Sequence, residues 1–156
     1  MTHMTHLTLR SPVGPLSLFS DAAATAIVAL EFGKAPDGPS SPLLERARDQ
    51  LNAYFAGRLT AFDLPLDPAG TAFQKNVWRL MVDIPIGHSR TYGDLARILK
   101  SSARAVGGAC GKNPIAIIIP CHRVLAANGA IGGYSGGGGP DTKRFLLNLE
   151  GHKEPT

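Results

Sequence analysis

The chain has 156 residues, 44% of them apolar and 18% charged, with a net charge of +4 at neutral pH. That balance excludes a disordered chain, and no apolar run approaches the roughly 20 residues that a membrane-spanning helix needs. Charge is unevenly spread: residues 1–70 hold five Lys/Arg against seven Asp/Glu, residues 71–156 eleven against five. A basic second half suits an anionic partner such as a nucleic-acid backbone, and suits a solvated surface equally well.

The start, Met1 to His6, has no basic region followed by an apolar core, so no secretory signal is expected and the cytoplasm is the expected location. His3 and His6 are expected to be solvated. Two short strands, Leu7–Leu9 and Leu16–Phe19, flank the turn Ser11-Pro12-Val13-Gly14-Pro15, and Thr25–Phe32 predicts a third. After a Pro/Gly/Ser-rich loop, Pro42 to Gly57 predicts a helix: Leu43, Leu44, Ala47, Leu51 and Tyr54/Phe55 recur at helical spacing, with Gly57 as the stop. Nothing in this half forms a catalytic arrangement. Asp63–Gly70, where the charge balance changes sign, reads as a linker.

Thr71 with Gln74 makes a capping box for a helix whose inner face is Phe73, Val77, Leu80, Met81 and Ile84, with Trp78 at one edge. Thr91 caps a short helix, with Asp94 in its first turn and Leu95, Ile98 and Leu99 turned inward. Ser102 caps the next, Ala103–Cys110, which closes at Gly111. Helix, brief turn, helix is the helix-turn-helix spacing. Gly107 and Gly108 each cost the second helix about 1 kcal/mol relative to Ala. Two explanations fit: close approach of a nucleic-acid groove, with Arg104 reaching into the stack, or internal packing with Arg104 as a surface charge.

Five apolar residues, Ile115–Ile119, then predict a buried strand-like run that ends at Pro120, followed by Cys121, His122 and Arg123. A thiol attacks only as thiolate, and with an ordinary pKa of about 8.5 it needs a base or a cation beside it. His122 and Arg123 are the neighbours in sequence. Adjacent side chains in a strand point apart, so contact between Cys121 and His122 requires a turn or a bridging water. A carboxylate to fix the His122 tautomer is the next requirement, and Glu150 is the candidate, because such a triad is spatial and not sequential. A solvated Glu at a helix end fits that position equally well. Asn128-Gly129 is a hairpin signal. Gly132–Pro140 reads either as a loop closing over a flat ligand, with Tyr134 and Ser135 as wall and hydroxyl, or as a mobile connection. Asp141 should cap the last helix, with Phe145, Leu146 and Leu149 inward and Lys143 and Arg144 outward.

The segment Pro120-Cys121-His122-Arg123-Val124 after Asn113-Pro114 resembles the active-site motif of the O6-alkylguanine-DNA alkyltransferases. The resemblance extends to Phe73-Gln74-x-x-Val77-Trp78, Tyr92-Gly93, Ala103–Ala109, Gly132-x-Tyr134-Ser135-Gly136-Gly137 and Leu147-x-x-Glu150-Gly151. It implies a methylated-DNA–protein-cysteine methyltransferase that repairs O6-alkylguanine in double-stranded DNA, with O4-alkylthymine as a further candidate, in a single suicide turnover. It implies that Cys121 accepts the alkyl group, His122 deprotonates it through water, Glu150 orients His122 and Asn113 braces the turn. Tyr92 would protonate the departing base and help rotate its phosphate. Arg104, with Ala105, Gly107 and Gly108 on the same helix, would contact DNA. Val124, Gly132, Tyr134 and Ser135 would form the base pocket. A zinc site known in some members needs N-terminal cysteines, and this chain has none before Cys110, so no metal or cofactor is expected.

The expected fold is α+β: residues 1–66 as a small antiparallel sheet with one helix, and residues 67–156 as a mostly helical, winged-helix-like DNA-binding and transfer domain. The expected state is a monomer. An alkylated-base-binding protein would lack Cys121, a cysteine hydrolase would leave the Arg104 helix unexplained, and a plain helix-turn-helix regulator would not need Pro120-Cys121-His122.

Overall fold

The structure is a computed structural model that describes residues 5–36 and 38–152. His6–Leu9 (β1), Leu16–Ser20 (β2) and Ile27–Phe32 (β3) form an antiparallel sheet in the order β1-β2-β3. Leu16 and Leu18 on the central strand are fully buried, and helix α1 (Pro42–Phe55) covers them with Leu44, Ala47, Leu51 and Tyr54. Ser41 caps α1 by accepting from the Leu44 amide, and Pro42 follows in the first turn, where its missing N–H costs nothing. His3 lies outside the described residues. His6 is partly exposed and has neighbours: it opens β1, its ring lies 5.9 Å from that of Phe19, and Nε2 is 2.7 Å from the Pro36 carbonyl.

The stretch read as a linker is tied down. The Ile27 amide donates to the Pro65 carbonyl and the Asp67 amide to the Ile27 carbonyl, both at 2.9 Å, so residues 65–67 extend the edge of β3. Farther along the same edge, the Leu30 amide donates to the Pro114 carbonyl at 2.9 Å. An exposed strand edge is a row of unmet hydrogen bonds. Here the chain on either side of the helices meets them, and one cluster of buried side chains runs from the sheet into the second half.

Helix α2 (Ala72–Val82) begins with the expected capping box of Thr71 and Gln74. Strand β4 (Arg90–Thr91) leads into α3 (Tyr92–Leu99), with a second capping box from Thr91 and Asp94. Lys100, in a left-handed conformation (φ 54°, ψ 47°), turns the chain toward α4 (Ala103–Gly111), capped by Ser102. Trp78 donates its Nε1 hydrogen to the Ala109 carbonyl at 2.9 Å and so fixes the end of α4 on α2. Ile98, expected inward, is 62% exposed, because the eight-residue α3 rests on Leu95 and Ala96 instead. Strand β5 (Val124–Leu125) pairs in parallel with β4, Arg90 opposite Val124 and Thr91 opposite Leu125. Helix α5 (Pro140–Leu149) closes the fold.

Candidate active site

Ile115–Ile119 is not a continuous strand. The Ile118 amide bonds the Ala116 carbonyl at 2.8 Å around Ile117, whose φ is +73°. A β-branched residue in that region costs about 1–3 kcal/mol and persists only where its surroundings hold it. Here the Ile117 side chain is wholly buried. Pro120 (φ −82°, ψ 68°) makes a second three-residue turn, with the Cys121 amide bonded to the Ile119 carbonyl at 2.8 Å. Asn113 braces both: its Nδ2 donates to the Ile119 carbonyl at 2.8 Å and its Oδ1 accepts from the Ile115 amide at 3.0 Å. Cys121–Arg123 then form one turn of 3-10 helix, so the strand alternation that would part Cys121 from His122 does not apply.

Behind the thiol stands a buried ionic cluster. The Glu150 carboxylate is fully enclosed and lies 2.6 Å from His122 Nε2. Arg123 donates to it through Nε at 2.8 Å and Nη2 at 3.0 Å, and through Nη1 to the Ile84 carbonyl at 2.7 Å. Arg123 therefore serves Glu150 and is not the cation beside Cys121. Burial opposes the Glu150 charge, but the hydrogen bonds from His122 and Arg123 outweigh it and hold the carboxyl at about 2. With a carboxylate on Nε2, the imidazole carries its hydrogen there. Burial keeps the ring neutral against the pull of Glu150. Its Nδ1 is buried and has no hydrogen-bond partner among the described residues, so it is a free acceptor.

Burial raises the Cys121 pKa, and the Asn113 hydrogen bond, the charge of Lys143 and a hydrogen bond from its own backbone oppose it without overcoming it. The thiol stays protonated until a base acts. Lys143, expected outward, is 0% exposed. Its ammonium donates to the Val124 carbonyl at 2.7 Å and the Gly133 carbonyl at 3.2 Å, and lies 5.7 Å from the centre of the Tyr92 ring. Phe145, expected inward, is 38% exposed instead, and Gly139, not Asp141, caps α5. The missed signal was helical spacing: Lys143, Leu146, Leu147 and Glu150 share one face.

Cys121 opens on a cavity of about 470 Å³ lined by Tyr92, Gly107, Cys110, Tyr134 and Ser135, with Gly111 and Gly133 between them. Burial pushes the Tyr92 hydroxyl up to about 12, so it remains a proton donor at neutral pH. Val124 lies behind the wall, fully buried, and Gly132 packs against the Tyr92 ring. Gly136 and Gly137 lie against Phe32 of β3, and a Cβ on Gly136 would overlap that ring. The glycine-rich loop thus has a docked position. Asn128 and Gly129 form the expected turn, both at positive φ (61° and 77°), but no strand follows, since six glycines occupy positions 132–139. On α4, Arg104, Ala105 and Gly108 are exposed. A Cβ added at Gly107 or Gly108 would meet no described atom within 4 Å, so internal packing does not require these glycines.

Residues 4–68 match the family profile "6-O-methylguanine DNA methyltransferase, ribonuclease-like domain", and residues 72–152 match "6-O-methylguanine DNA methyltransferase, DNA binding domain". The chain belongs to the 6-O-methylguanine DNA methyltransferase family. It is 45% identical to the methylated-DNA–protein-cysteine methyltransferase of Methanosarcina acetivorans, over 95% of this chain and 99% of that one. It is 47% identical to the Mycobacterium bovis protein of the same name, over 95% and 93%. Among solved structures, the Mycobacterium tuberculosis relative in complex with DNA superposes with a TM-score of 0.84 at 44% identity, covering 97% of this chain and 95% of that one. The α+β architecture is the one these methyltransferase structures share. No helix among the described residues is long and apolar enough to cross a membrane.

Proposed function

We propose that this methyltransferase removes alkyl groups from O6 of guanine in double-stranded DNA by transferring each to the sulfur of Cys121. One observation carries the reading: Cys121, Tyr92, Tyr134, Ser135 and the glycine-lined end of α4 converge on one cavity. A thiol so enclosed cannot meet a base within a stacked duplex, so the nucleotide must swing out, at a cost of a few kcal/mol. Arg104, exposed near the start of α4, takes the place of the departed base and offsets that cost. Ala105, Gly107 and Gly108 let the backbone lie close against the groove.

In the pocket, Tyr134 and Ser135 hold the base, with Gly132 and Val124 shaping the wall around them. His122 Nδ1 takes the Cys121 proton through a bridging water, and Glu150 stabilises the imidazolium that forms. Asn113 fixes the turn that presents the sulfur. The thiolate attacks the carbon on O6: the S–C bond forms, the C–O6 bond breaks, and its electron pair passes to the guanine, which Tyr92 protonates. A thioether has no ready leaving path, so the protein is consumed.

Residues 1–66 act as the bracing lobe and residues 67–156 as the DNA-binding and transfer domain. One chain carries every group the reaction needs, which supports action as a monomer. Both cysteines are free, and a nucleophile that must stay a thiol fits the reducing cytoplasm. Incubation with duplex O6-methylguanine should raise the protein mass by one methyl group in place of one hydrogen, on the peptide bearing Cys121. An unchanged mass overturns the proposal.

Arg104→Ala should slow repair of duplex DNA by ten-fold or more, an effect on the order of 1.4 kcal/mol or more, while reaction with free O6-benzylguanine proceeds at the wild-type rate. Equal losses on both substrates would refute an extrusion role. Gly108→Leu offers a complementary readout. The open space at that position and the better helix propensity should raise thermal stability by about 1 kcal/mol, while affinity for duplex DNA falls. Stability and affinity falling together would show that the glycine serves the interior.

A further inference from the structure

The half of the chain without a catalytic arrangement nevertheless sends one hydroxyl into the ionic cluster. Tyr54, in the last turn of α1, is 2% exposed, and its Oη donates to Glu150 Oε2 at 2.6 Å. That oxygen is the one 2.6 Å from His122 Nε2, and Arg123 Nη2 also reaches it at 3.0 Å. The Tyr54 ring is wedged against Phe55 and Phe62, with centroids 5.2 and 5.4 Å away. If the position needed only bulk, phenylalanine would serve without burying a hydroxyl; a buried hydroxyl is tolerated because it is hydrogen-bonded.

We propose that Tyr54 is a positioning residue of the transfer reaction: an N-terminal-lobe hydroxyl that sets the place and the charge of the Glu150 carboxylate against which His122 works. This rests on the reading of Cys121, His122 and Glu150 as a proton relay. Each donor on Oε2 draws off negative charge and occupies a lone pair that His122 would otherwise have to itself. With Tyr54 in place, Glu150 orients the imidazole without holding a proton on it too firmly. Other titratable and charged groups face this cluster as well. Arg123, from the same turn, and Lys143, from α5, both disfavour a protonated His122. Tyr134, from the glycine-rich loop, and Arg123 also act electrostatically on Tyr54. Burial and the carboxylate together keep the Tyr54 hydroxyl protonated far above neutral pH, so it is a donor throughout the working range.

Removing that donor leaves more charge for the imidazolium, so His122 should keep its proton to higher pH and become a base later. The test compares the full-length wild type with Tyr54→Phe in two ways: the single-turnover rate of methyl transfer from duplex DNA between pH 5 and 8.5, and the ring-nitrogen NMR titration of His122. Both the titration midpoint and the acid limb of the rate profile should rise by about half to one pH unit, with the rate below the wild-type midpoint down about three- to ten-fold and the plateau falling less. Superimposable profiles and midpoints would overturn the proposal, as would a rate loss uniform in pH with no movement of the midpoint, which marks packing alone. Should Tyr54→Phe fold poorly, 3,5-difluorotyrosine at position 54 keeps the ring and is a stronger donor. It should move the midpoint down, and no movement would overturn the proposal. If the wild type transferred no methyl from DNA, the relay reading would fail, while the NMR midpoint would still report whether Tyr54 governs His122.

Discussion

Cys121→Ser should bind duplex O6-methylguanine and never acquire its methyl group. The substitution changes one atom on a turn whose shape is set by Asn113, Pro120 and the Ile119 carbonyl, so stability should shift by no more than about 1 kcal/mol. The chemistry should change far more. A hydroxyl is a much weaker acid than a thiol, and a buried neutral imidazole that suffices to draw a proton from sulfur does not suffice for oxygen. Mass spectrometry after long incubation should show unmodified protein, while gel-shift titration shows wild-type affinity. Affinity should be retained because, in the proposed mode, DNA is met by α4 and the base by Tyr134 and Ser135, and the substitution changes none of these side chains. Methylation of the substituted peptide, or methylation appearing on Cys110 at the wild-type rate, would overturn the assignment of the sulfur of Cys121 as the acceptor. Cys110 lines the same cavity, but burial pushes its thiol up to about 12, and its Sγ lies 3.6 Å from the Met81 sulfur.

The order of elements was legible because its signals are local. Ser41, Thr71, Thr91 and Ser102 each accept from the amide three residues on, as a capping residue should. Local signals fail where a long-range contact overrides them. Ile115–Ile119 has the composition of a strand, yet it bends at Ile117 because Asn113 supplies the hydrogen bonds that a neighbouring strand would have given. Lys143 looks like a surface residue on hydropathy, and becomes an interior one because two carbonyls replace its water. Phe145 is displaced outward by the same rotation of α5. Glu150 could be named as the partner of His122, but Tyr54 could not be placed in the site: 96 residues separate it from Glu150, and in sequence it is one apolar-face residue of an amphipathic helix.

Glu150→Gln should be the most destabilising single change in the site. The amide keeps the volume but removes the counter-charge from Arg123, whose side chain is 8% exposed, and sets an N–H group among the donors of His122, Arg123 and Tyr54. Breaking a buried pair in this way costs about 3–5 kcal/mol, on the order of a 10 °C fall in melting temperature for a chain of this size. The pH dependence separates this from a simple packing defect. The Glu150 carboxyl titrates at about 2 in the folded protein against an ordinary 4.5. A depressed folded value means that the stabilisation is complete above the unfolded value and is lost as pH falls through the folded one. Wild-type stability should therefore decline by about 3 kcal/mol from this group between pH 5 and pH 2. Glu150→Gln has no such proton to take up, so the gap between the two proteins should narrow steadily over that window in urea melts. Curves that stay parallel down to pH 2.5 would show that the carboxylate is not held by its neighbours as the geometry indicates. At neutral pH the same variant should transfer methyl groups at least 100-fold more slowly, since the imidazole loses the charge that stabilises its protonated form, about 2.7 kcal/mol of barrier.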